Sequence, residues 1–223
     1  MNIEIKKFQE GAKKAKGLAV VIDVIRANTT IAILISNGVK KIIAVAELEE
    51  ALILKKRNPD FIAIGERKCL KPEGFDYGNS PAEIENIDLK DKTIIMTTSN
   101  GTKGIVNAKN ADEIILGSFI NFNASLDYIK EKNPETVSLL AMGSSNVNAP
   151  EDEIFANYLK AKLENKSYDI SGLNERVAKS RSVRIATDAG YAKDVPYCLK
   201  FNLFNVVPKV FKENNMLVIR NAS

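Results

Sequence analysis

Short, largely apolar runs alternate with longer amphipathic stretches along most of this chain of 223 residues. The runs are predicted strands at residues 18–25, 42–45, 61–64, 93–96, 114–116 and 137–141. Predicted helices lie between and after them at residues 29–37, 48–56, 103–108, 124–132 and 151–163. Strands that are apolar throughout are buried on both faces, which is typical of a mainly parallel sheet covered by helices. The sequence therefore predicts an α/β fold with three layers, α/β/α.

A weak internal repeat with an offset of 72 residues runs through this pattern. It aligns Asn28-Thr29-Thr30 with Asn100-Gly101-Thr102, and Lys41-Ile42-Ile43 with Glu113-Ile114-Ile115. Two similar βαβ halves would explain it, although any two strand–helix–strand units look alike at this level. After residue 163 the pattern predicts a loop at 167–172, a helix at 173–181 and a last strand at 216–219. Because no Pro/Gly/Ser-rich linker divides the chain, residues 1–223 are expected to form a single domain.

The chain contains no histidine, which limits its possible chemistry more than any other feature of its composition. Ser-His-Asp and Cys-His catalysis, histidine phosphoenzymes and histidine-ligated metals are all excluded. The two cysteines, Cys69 and Cys198, lack zinc-site spacing, and neither is followed by the five residues and arginine of a tyrosine phosphatase. A phosphate loop of the GxxxxGK[ST] type is also missing. Carboxylates, hydroxyls, lysine, arginine, backbone amides or a hard metal must therefore carry any reaction.

The charge pattern argues against large anionic partners. The net charge of +4 comes from lysines interleaved with acids, without the concentrated basic stripe of a nucleic-acid-binding protein. No apolar run approaches the roughly 20 residues of a membrane span. The first 17 residues are rich in lysine but lack the apolar segment of a signal peptide. We therefore expect a cytoplasmic protein with neither nucleic acid nor membrane as a partner.

Polar turns follow the predicted strands, and in a parallel sheet the carboxyl ends of the strands gather the loops that bind ligands. The candidate residues in these turns are Asp23, Arg26, Asn28, Thr29, Thr30, Glu66, Arg67, Ser99, Asn100, Gly101, Thr102 and Ser118, followed by the turn at residues 143–146. The small residues at 97–102 would let an anion approach the backbone at the start of a helix. Helix capping is the alternative for this turn. Arg26 and Arg67 suit phosphate or sulfonate, whereas simple solvation would also explain them.

The long segment at residues 66–81 is predicted to be a binding loop, since structureless segments of this length in compact domains are usually functional. It adds Asp76, Asn79 and Ser80 to the candidates, although a solvated loop face would also account for them. Mg²⁺ needs only one or two carboxylates and retains water. The candidate ligands are Asp23, Glu66, Asp76 and Asp152. For Asp152 the alternative is a favourable interaction with a helix N-terminus, which needs no metal.

Several of these segments together resemble the motifs of the 2-phosphosulfolactate phosphatase (ComB-type) family. They are residues 20–30 (VVIDVIRANTT), 65–67 (GER), 74–81 (GFDYGNSP), 97–102 (TTSNGT) and 117–119 (GSF). Their order and spacing agree over roughly the first 155 residues, and GFDxGNSP with TTxNGT is a specific combination. The resemblance continues more weakly through Glu151-Asp152 and through Asp194, Tyr197, Cys198 and Val207-Pro208. The sequence departs from the family near residues 181–187, where Ser182-Val183-Arg184 stands in place of an expected Gly-Arg pair.

The resemblance implies Mg²⁺-dependent hydrolysis of 2-phosphosulfolactate, or a related small 2-phospho acid, to the hydroxy acid and phosphate. In methanogens this reaction is a step toward coenzyme M. Asp23, Arg26, Arg67 and Asp76 are the catalytic candidates, either with water as the nucleophile or with Asp23 or Asp76 forming an aspartyl-phosphate. The resemblance, with the apolar C-terminal part, also favours a homodimer. The alternatives are a non-catalytic protein that binds small anions and a phosphatase for a different small phosphorylated acid.

Overall fold

A nine-stranded sheet with helices on both faces forms the protein in the computed structural model, which describes residues 1–144 and 146–222. The strands are β1 (Asn2–Lys7), β2 (Leu18–Ile22), β3 (Lys41–Ala44), β4 (Ile62–Gly65), β5 (Thr93–Thr97), β6 (Glu113–Gly117), β7 (Thr136–Ala141), β8 (Pro208–Glu213) and β9 (Met216–Asn221). The helices are α1 (Phe8–Lys13), α2 (Ala27–Ser36), α3 (Leu48–Arg57), α4 (Pro81–Ile84), α5 (Gly101–Asn107), α6 (Phe122–Lys132), α7 (Pro150–Leu163), α8 (Leu173–Ala178), α9 (Arg181–Asp188) and α10 (Asp194–Cys198). A short 3₁₀ helix, Phe119–Asn121, precedes α6.

The sheet consists of two parallel groups joined by an antiparallel hairpin. The strand order is β1-β7-β2-β6-β8-β9-β3-β5-β4. Strands β1, β7, β2 and β6 are mutually parallel, as are β3, β5 and β4, whereas β8 and β9 pair antiparallel with their neighbours. The predicted α/β fold with a mainly parallel sheet is thus confirmed. The three successive pairings β6–β8, β8–β9 and β9–β3 are antiparallel, however, so the two parallel groups run in opposite directions. The carboxyl ends of the parallel strands therefore lie at the same edge of the sheet only within each group.

Two successive parts of the chain, the two halves of the fold, have matching topology. The units β2-α2-β3-α3-β4 and β5-α5-β6-α6-β7 follow one another along the chain. In the sheet, the order β7-β2-β6 on one side corresponds to β4-β5-β3 on the other. The repeat offset therefore aligns the first turn of α2 with that of α5, as expected for two similar halves.

Strand side chains alternate between two apolar layers, which explains why the strand sequences are apolar throughout. On β2, Ala19 and Val21 face the layer formed with α1, α2 and α5. Leu18, Val20 and Ile22 face the opposite layer, which α6 and α7 cover. Helix α3 covers the same side of the sheet in the other group. The sheet is therefore buried on both faces.

The structure differs from the sequence prediction at several boundaries. The first predicted strand ends at Ile22 because β2 pairs with β6 and β7 only up to that residue. The predicted helix at 173–181 ends at Ala178 as α8. Ser180 caps the next helix, α9, by accepting a hydrogen bond from the backbone N–H of Val183. Elements β1, α1, α4, α9, α10, β8 and the 3₁₀ helix were not predicted. None of the described helices is long and apolar enough to cross a membrane.

Candidate active site

A cleft of about 70 Å³ lies beside the first turns of α2 and α5. Its polar lining from the strand-end turns consists of Asp23, Arg26, Glu66, Thr98, Ser99, Asn100 and Ser144. These residues follow β2, β4, β5 and β7, so both halves of the fold contribute to the cleft. Five steps across the sheet separate β2 from β5. Since neighbouring strands rotate by roughly 20–25°, the accumulated twist turns their carboxyl ends toward one another.

Gly101 allows the first turns of the two helices to meet. A Cβ atom at this position would lie 2.7 Å from the Cβ atom of Ala27 and 3.0 Å from Oδ2 of Asp23. No side chain fits at the first distance without displacing its neighbour. Gly101, a candidate residue from the sequence, therefore allows α5 to lie close to Asp23 and α2.

Asp23 is the central carboxylate of the cleft. It follows β2 directly, is 6% exposed, and accepts a hydrogen bond from the backbone N–H of Ala27 at 3.4 Å. Burial raises the pKa of Asp23 to about 7, and the nearby charge of Glu66 adds to the effect. A carboxylate with such a perturbed pKa in a cleft is typical of a functional group.

Glu66 ties two of the cleft's turns together. Its Oε1 accepts a hydrogen bond from the backbone N–H of Ser99 at 2.6 Å. Its Oε2 accepts from the backbone N–H of Cys69 at 2.8 Å and from the hydroxyl of Ser99 at 3.1 Å. The carboxylate thus holds the turn after β5 against the segment after β4, and it places a second acidic group beside Asp23.

Asp152 lies behind the cleft, and each of its two carboxylate oxygens accepts a hydrogen bond from a backbone N–H group. Oδ1 accepts from the N–H of Val24 and Oδ2 from the N–H of Gly143, each at 2.9 Å. Asp152 therefore fastens the turn after β2 to the turn after β7. Burial, together with the charges of Glu151 and Asp23, raises its pKa well above the usual value.

Glu151, which was not named as a site candidate from the sequence, lies close enough to Asp152 and Asp23 for its charge to affect both. It is 1% exposed, and its Oε2 has no hydrogen-bond partner within the described ranges. Burial raises the pKa of Glu151, although hydrogen bonds with Ser182 and Ser180 act in the opposite direction. Only its place in the first turn of α7 was visible in the sequence, and that position has an ordinary explanation in the helix dipole.

Arg26 lines the cleft and is held by three contacts. Its Nη1 donates to Oδ2 of Asp194 at 2.7 Å, and its Nη2 donates to the backbone carbonyl of Cys69 at 3.0 Å. The guanidinium lies 4.4 Å from the ring centroid of Tyr191. Asp194 in turn accepts a hydrogen bond from the hydroxyl of Ser80 at 2.7 Å. The C-terminal part of the chain therefore fixes the orientation of Arg26.

Two of the predicted catalytic residues lie outside the cleft lining. Asp76 accepts from the backbone N–H of Ala63 at 2.7 Å and pairs with Lys55 at 3.0 Å, next to the start of β4. The guanidinium of Arg67 donates to the carbonyls of Glu66 and Ala46 and to the hydroxyl of Thr97. These contacts hold both side chains against neighbouring strands and turns, away from the cleft.

Most of the predicted hydroxyl and amide ligands form local hydrogen bonds instead of facing the cleft. Asn28 donates to the carbonyls of Val21 and Gly117, Thr29 to that of Val24 and Thr30 to that of Arg26. Ser80 caps α4, and Ser118 caps the 3₁₀ helix. The hydroxyl of Thr102 accepts a hydrogen bond from the backbone N–H of Thr98. Ser99 and Asn100 do line the cleft, as does Asn79. The buried Oδ1 of Asn79 has no hydrogen-bond partner in the described part of the chain.

The cleft also contains residues that sequence reasoning did not identify. Lys68 and Cys69 extend it on one side, and Ser182 and Ile185 of α9 close it on another. Ser144 belongs to the predicted turn at 143–146, of which Ser145 lies outside the described residues. No local pattern identifies Ser182 or Ile185, because α9 reaches the cleft only through tertiary packing.

We expect the stability of the protein to depend on pH, with a sign that follows from the raised pKa of Asp23. Between its ordinary value of 3.8 and about 7, the folded state retains a proton that the unfolded chain releases. The free energy of unfolding of the metal-free protein should therefore fall as the pH rises through this window. Urea unfolding at several pH values in EDTA measures this slope. Asp23→Asn should have a shallower slope, and an equal or steeper slope in the variant would contradict the assignment.

The donor set around Asp23 fits a hard cation with few protein ligands. In residues 1–144 and 146–222, no group of three or more Cys, Asp or Glu side chains is placed to hold a metal ion. Mg²⁺ typically takes one or two carboxylates and completes its coordination with water and substrate phosphate. Asp23, Glu66 and Oδ1 of Asn79, which has no hydrogen-bond partner among the described residues, supply oxygen donors of this kind.

Comparison with known proteins assigns the chain to a family. The family model described as 2-phosphosulpholactate phosphatase matches residues 5–213. A protein of Carboxydothermus hydrogenoformans named "Probable 2-phosphosulfolactate phosphatase" is 36% identical over 100% of this chain and 98% of its own length. Proteins with the same name from Thermotoga petrophila and Thermoplasma acidophilum are 36% and 35% identical, each over 85% of this chain and 87% and 84% of their own lengths. The chain therefore belongs to the 2-phosphosulfolactate phosphatase family, a family of enzymes.

Proposed function

We propose that this protein hydrolyses the phosphomonoester of 2-phosphosulfolactate, or of a closely related small 2-phospho acid, to the hydroxy acid and phosphate with the assistance of Mg²⁺. The observation that carries the proposal is the pair of buried carboxylates, Asp23 and Glu66, in a polar cleft of a member of this family. The printed names of the relatives support the choice of substrate.

The charge of the cleft supports a requirement for a cation. The substrate carries a phosphoryl group, a sulfonate and a carboxylate, all of them anionic. The cleft presents Asp23 and Glu66, while the charge of Arg26 is offset by Asp194 at 2.7 Å. Two carboxylates would repel such a substrate unless a cation lay between them. Asp23 and Glu66, with Oδ1 of Asn79, are the residues that would hold Mg²⁺.

When bound, Mg²⁺ would neutralise charge on the phosphoryl oxygens. The chain's own residues supply the remaining functions. Arg26 presents a fixed guanidinium at the cleft wall, and the backbone around Ser99 is held in place by Glu66. Asp23 would either accept a proton from an attacking water or attack phosphorus itself, forming an aspartyl-phosphate that water then hydrolyses. In both cases the hydroxy acid leaves as an alkoxide that takes up a proton. Rapid quenching with ³²P-labelled substrate separates the two routes, because only direct attack leaves label on the protein.

Metal removal is the experiment that tests this proposal. Protein treated with EDTA should release phosphate from 2-phosphosulfolactate at least about a hundredfold more slowly than the same protein with Mg²⁺ restored, since metal ions supply several kcal/mol of charge stabilisation. Equal rates would exclude the requirement for metal. Binding of the ester without any release of phosphate would favour a non-catalytic anion-binding protein.

A homodimer and a cytoplasmic location belong to the same proposal. The dimer rests on the family resemblance and the apolar C-terminal part of the chain, and the location rests on the hydropathy pattern of the sequence. Light scattering on the purified protein measures the first. A molar mass near 24.6 kDa at micromolar concentration would indicate a monomer and contradict the dimer.

A further inference from the structure

The cleft is lined by two cationic side chains among the described residues, Arg26 and Lys68. Arg26 is committed to internal contacts with Asp194, the carbonyl of Cys69 and the ring of Tyr191. Its side chain is 2% exposed, so turning it toward a ligand would break a buried ion pair. A substrate with three acidic groups therefore needs a further positive charge from elsewhere in the cleft.

Lys68 is placed to supply that charge. It is exposed at the cleft and forms neither an ion pair nor a hydrogen bond with any described side chain. A lysine ammonium group carries three donors on a long flexible stem, which suits it to pair with an acidic group that varies in position.

The backbone beneath Lys68 is held rigidly. Arg67 and Leu70 exchange backbone hydrogen bonds of 3.0 and 3.1 Å, which makes Lys68 and Cys69 the two central residues of a tight turn. The N–H of Cys69 donates to Glu66, and its carbonyl accepts from Arg26. The turn that carries Lys68 is thus attached directly to two other residues of the cleft.

The conformation of this turn is unusual for the residues that occupy it. Lys68 and Cys69 have φ angles of 53° and 68°, in the left-handed region where glycine and asparagine are preferred. A lysine side chain gives no conformational advantage at such a position. Its presence is explained if the side chain serves a function in the cleft.

We propose that Lys68 is a specificity-determining residue that pairs with a second acidic group of the substrate, its sulfonate or its carboxylate, while the phosphoryl group lies at Asp23 and Glu66. The inference rests on the proposed function, since it assigns part of the same cleft. Lys68 would thereby favour esters that carry an additional acidic group over simple phosphate monoesters.

Three esters with one carbon skeleton test the inference. Isopropyl phosphate has no additional acid, 2-phospholactate has a carboxylate, and 2-phosphosulfolactate has a carboxylate and a sulfonate. In Lys68→Asn, which keeps a residue that tolerates the left-handed turn, the kcat/KM ratio of 2-phosphosulfolactate to isopropyl phosphate should fall about tenfold, as for loss of a charge-assisted hydrogen bond. If the kcat/KM ratio of 2-phospholactate to isopropyl phosphate falls by a similar factor, the carboxylate is the partner of Lys68. If that ratio keeps its wild-type value, the sulfonate is the partner.

Lys71→Asn is the matched control, because Lys71 is exposed, lies three residues along the same segment and does not line the cleft. It should keep the wild-type ratio, and Lys68→Arg should recover most of it. An unchanged ratio in Lys68→Asn, or an equal fall in Lys71→Asn, would overturn the inference while leaving the proposed function intact.

A binding measurement separates failure of this inference from failure of the proposed function. If the wild-type protein hydrolyses none of the three esters, the proposed function fails. Calorimetric titration with intact 2-phosphosulfolactate then still tests Lys68, whose replacement by asparagine should weaken binding about tenfold at low ionic strength. Equal affinities of wild type and variant would contradict the inference.

Discussion

Asparagine in place of Asp23 should lower kcat/KM for phosphoester hydrolysis by about a thousandfold or more, equivalent to about 4 kcal/mol of transition-state stabilisation. The substitution preserves side-chain shape and an oxygen that can accept the hydrogen bond from Ala27. It removes the negative charge that would hold a cation, take up a proton or attack phosphorus. All three functions considered for this residue are lost together, so the expected effect does not depend on the route.

Asp76→Asn is the matched control for this loss. Asp76 belongs to the segment that resembles the family, yet its carboxylate contacts Ala63 and Lys55 outside the cleft lining. Its replacement should change kcat/KM by no more than about twofold, as is usual for substitutions away from a site. The free energy of unfolding at pH 7.5 should not decrease in Asp23→Asn, since a buried carboxylate beside Glu66 is removed. An active Asp23→Asn, or an equally inactive Asp76→Asn, would contradict the assignment of the cleft.

The second large effect concerns the stability of the fold. Asp194→Asn should lower the free energy of unfolding by about 3–5 kcal/mol, because it leaves the buried guanidinium of Arg26 without its counter-charge. Arg26 and Asp194 are 3% and 1% exposed, and 168 positions separate them in the chain. Urea unfolding followed by circular dichroism measures the change.

Two further variants identify the cause of that destabilisation. Asp76→Asn removes the charge of the partly exposed Lys55–Asp76 pair and should cost less than about 1 kcal/mol. The double variant Arg26→Met/Asp194→Asn removes both charges and should be more stable than Asp194→Asn alone. A double variant that is less stable than the single one would show that the charge of Arg26 was not the cause.

The fold could be predicted where burial leaves a mark on the sequence. Strands covered on both faces are apolar throughout, so β2 through β7 were identified. Strand β1 has the sequence NIEIKK and lies at the edge of the sheet, where its lysines hide the pattern. The opposite directions of the two parallel groups in the sheet had no sequence signal, because residue patterns record burial and not strand direction.

The site was predicted in part for a similar reason. Asp23, Glu66, Ser99 and Asn100 follow strand ends, which is visible in the sequence, and they line the cleft. Asp76 and Arg67 are of the same chemical types, and only tertiary contacts show that they are bound elsewhere. Asp194 and Ser182 come from the last third of the chain, where Asp194 belongs to the weaker part of the resemblance and Ser182 to a departure from it, so neither was named as a candidate. Their contacts with Arg26 and Glu151 arise from long-range packing.

The most direct test of the central claim is kcat/KM for phosphate release in Mg²⁺, measured for 2-phosphosulfolactate and for phosphoglycolate with wild type and Asp23→Asn in parallel. We expect the wild-type protein to prefer 2-phosphosulfolactate and the variant to lose activity on both esters. Release of phosphate from neither ester by the wild-type protein would contradict the account.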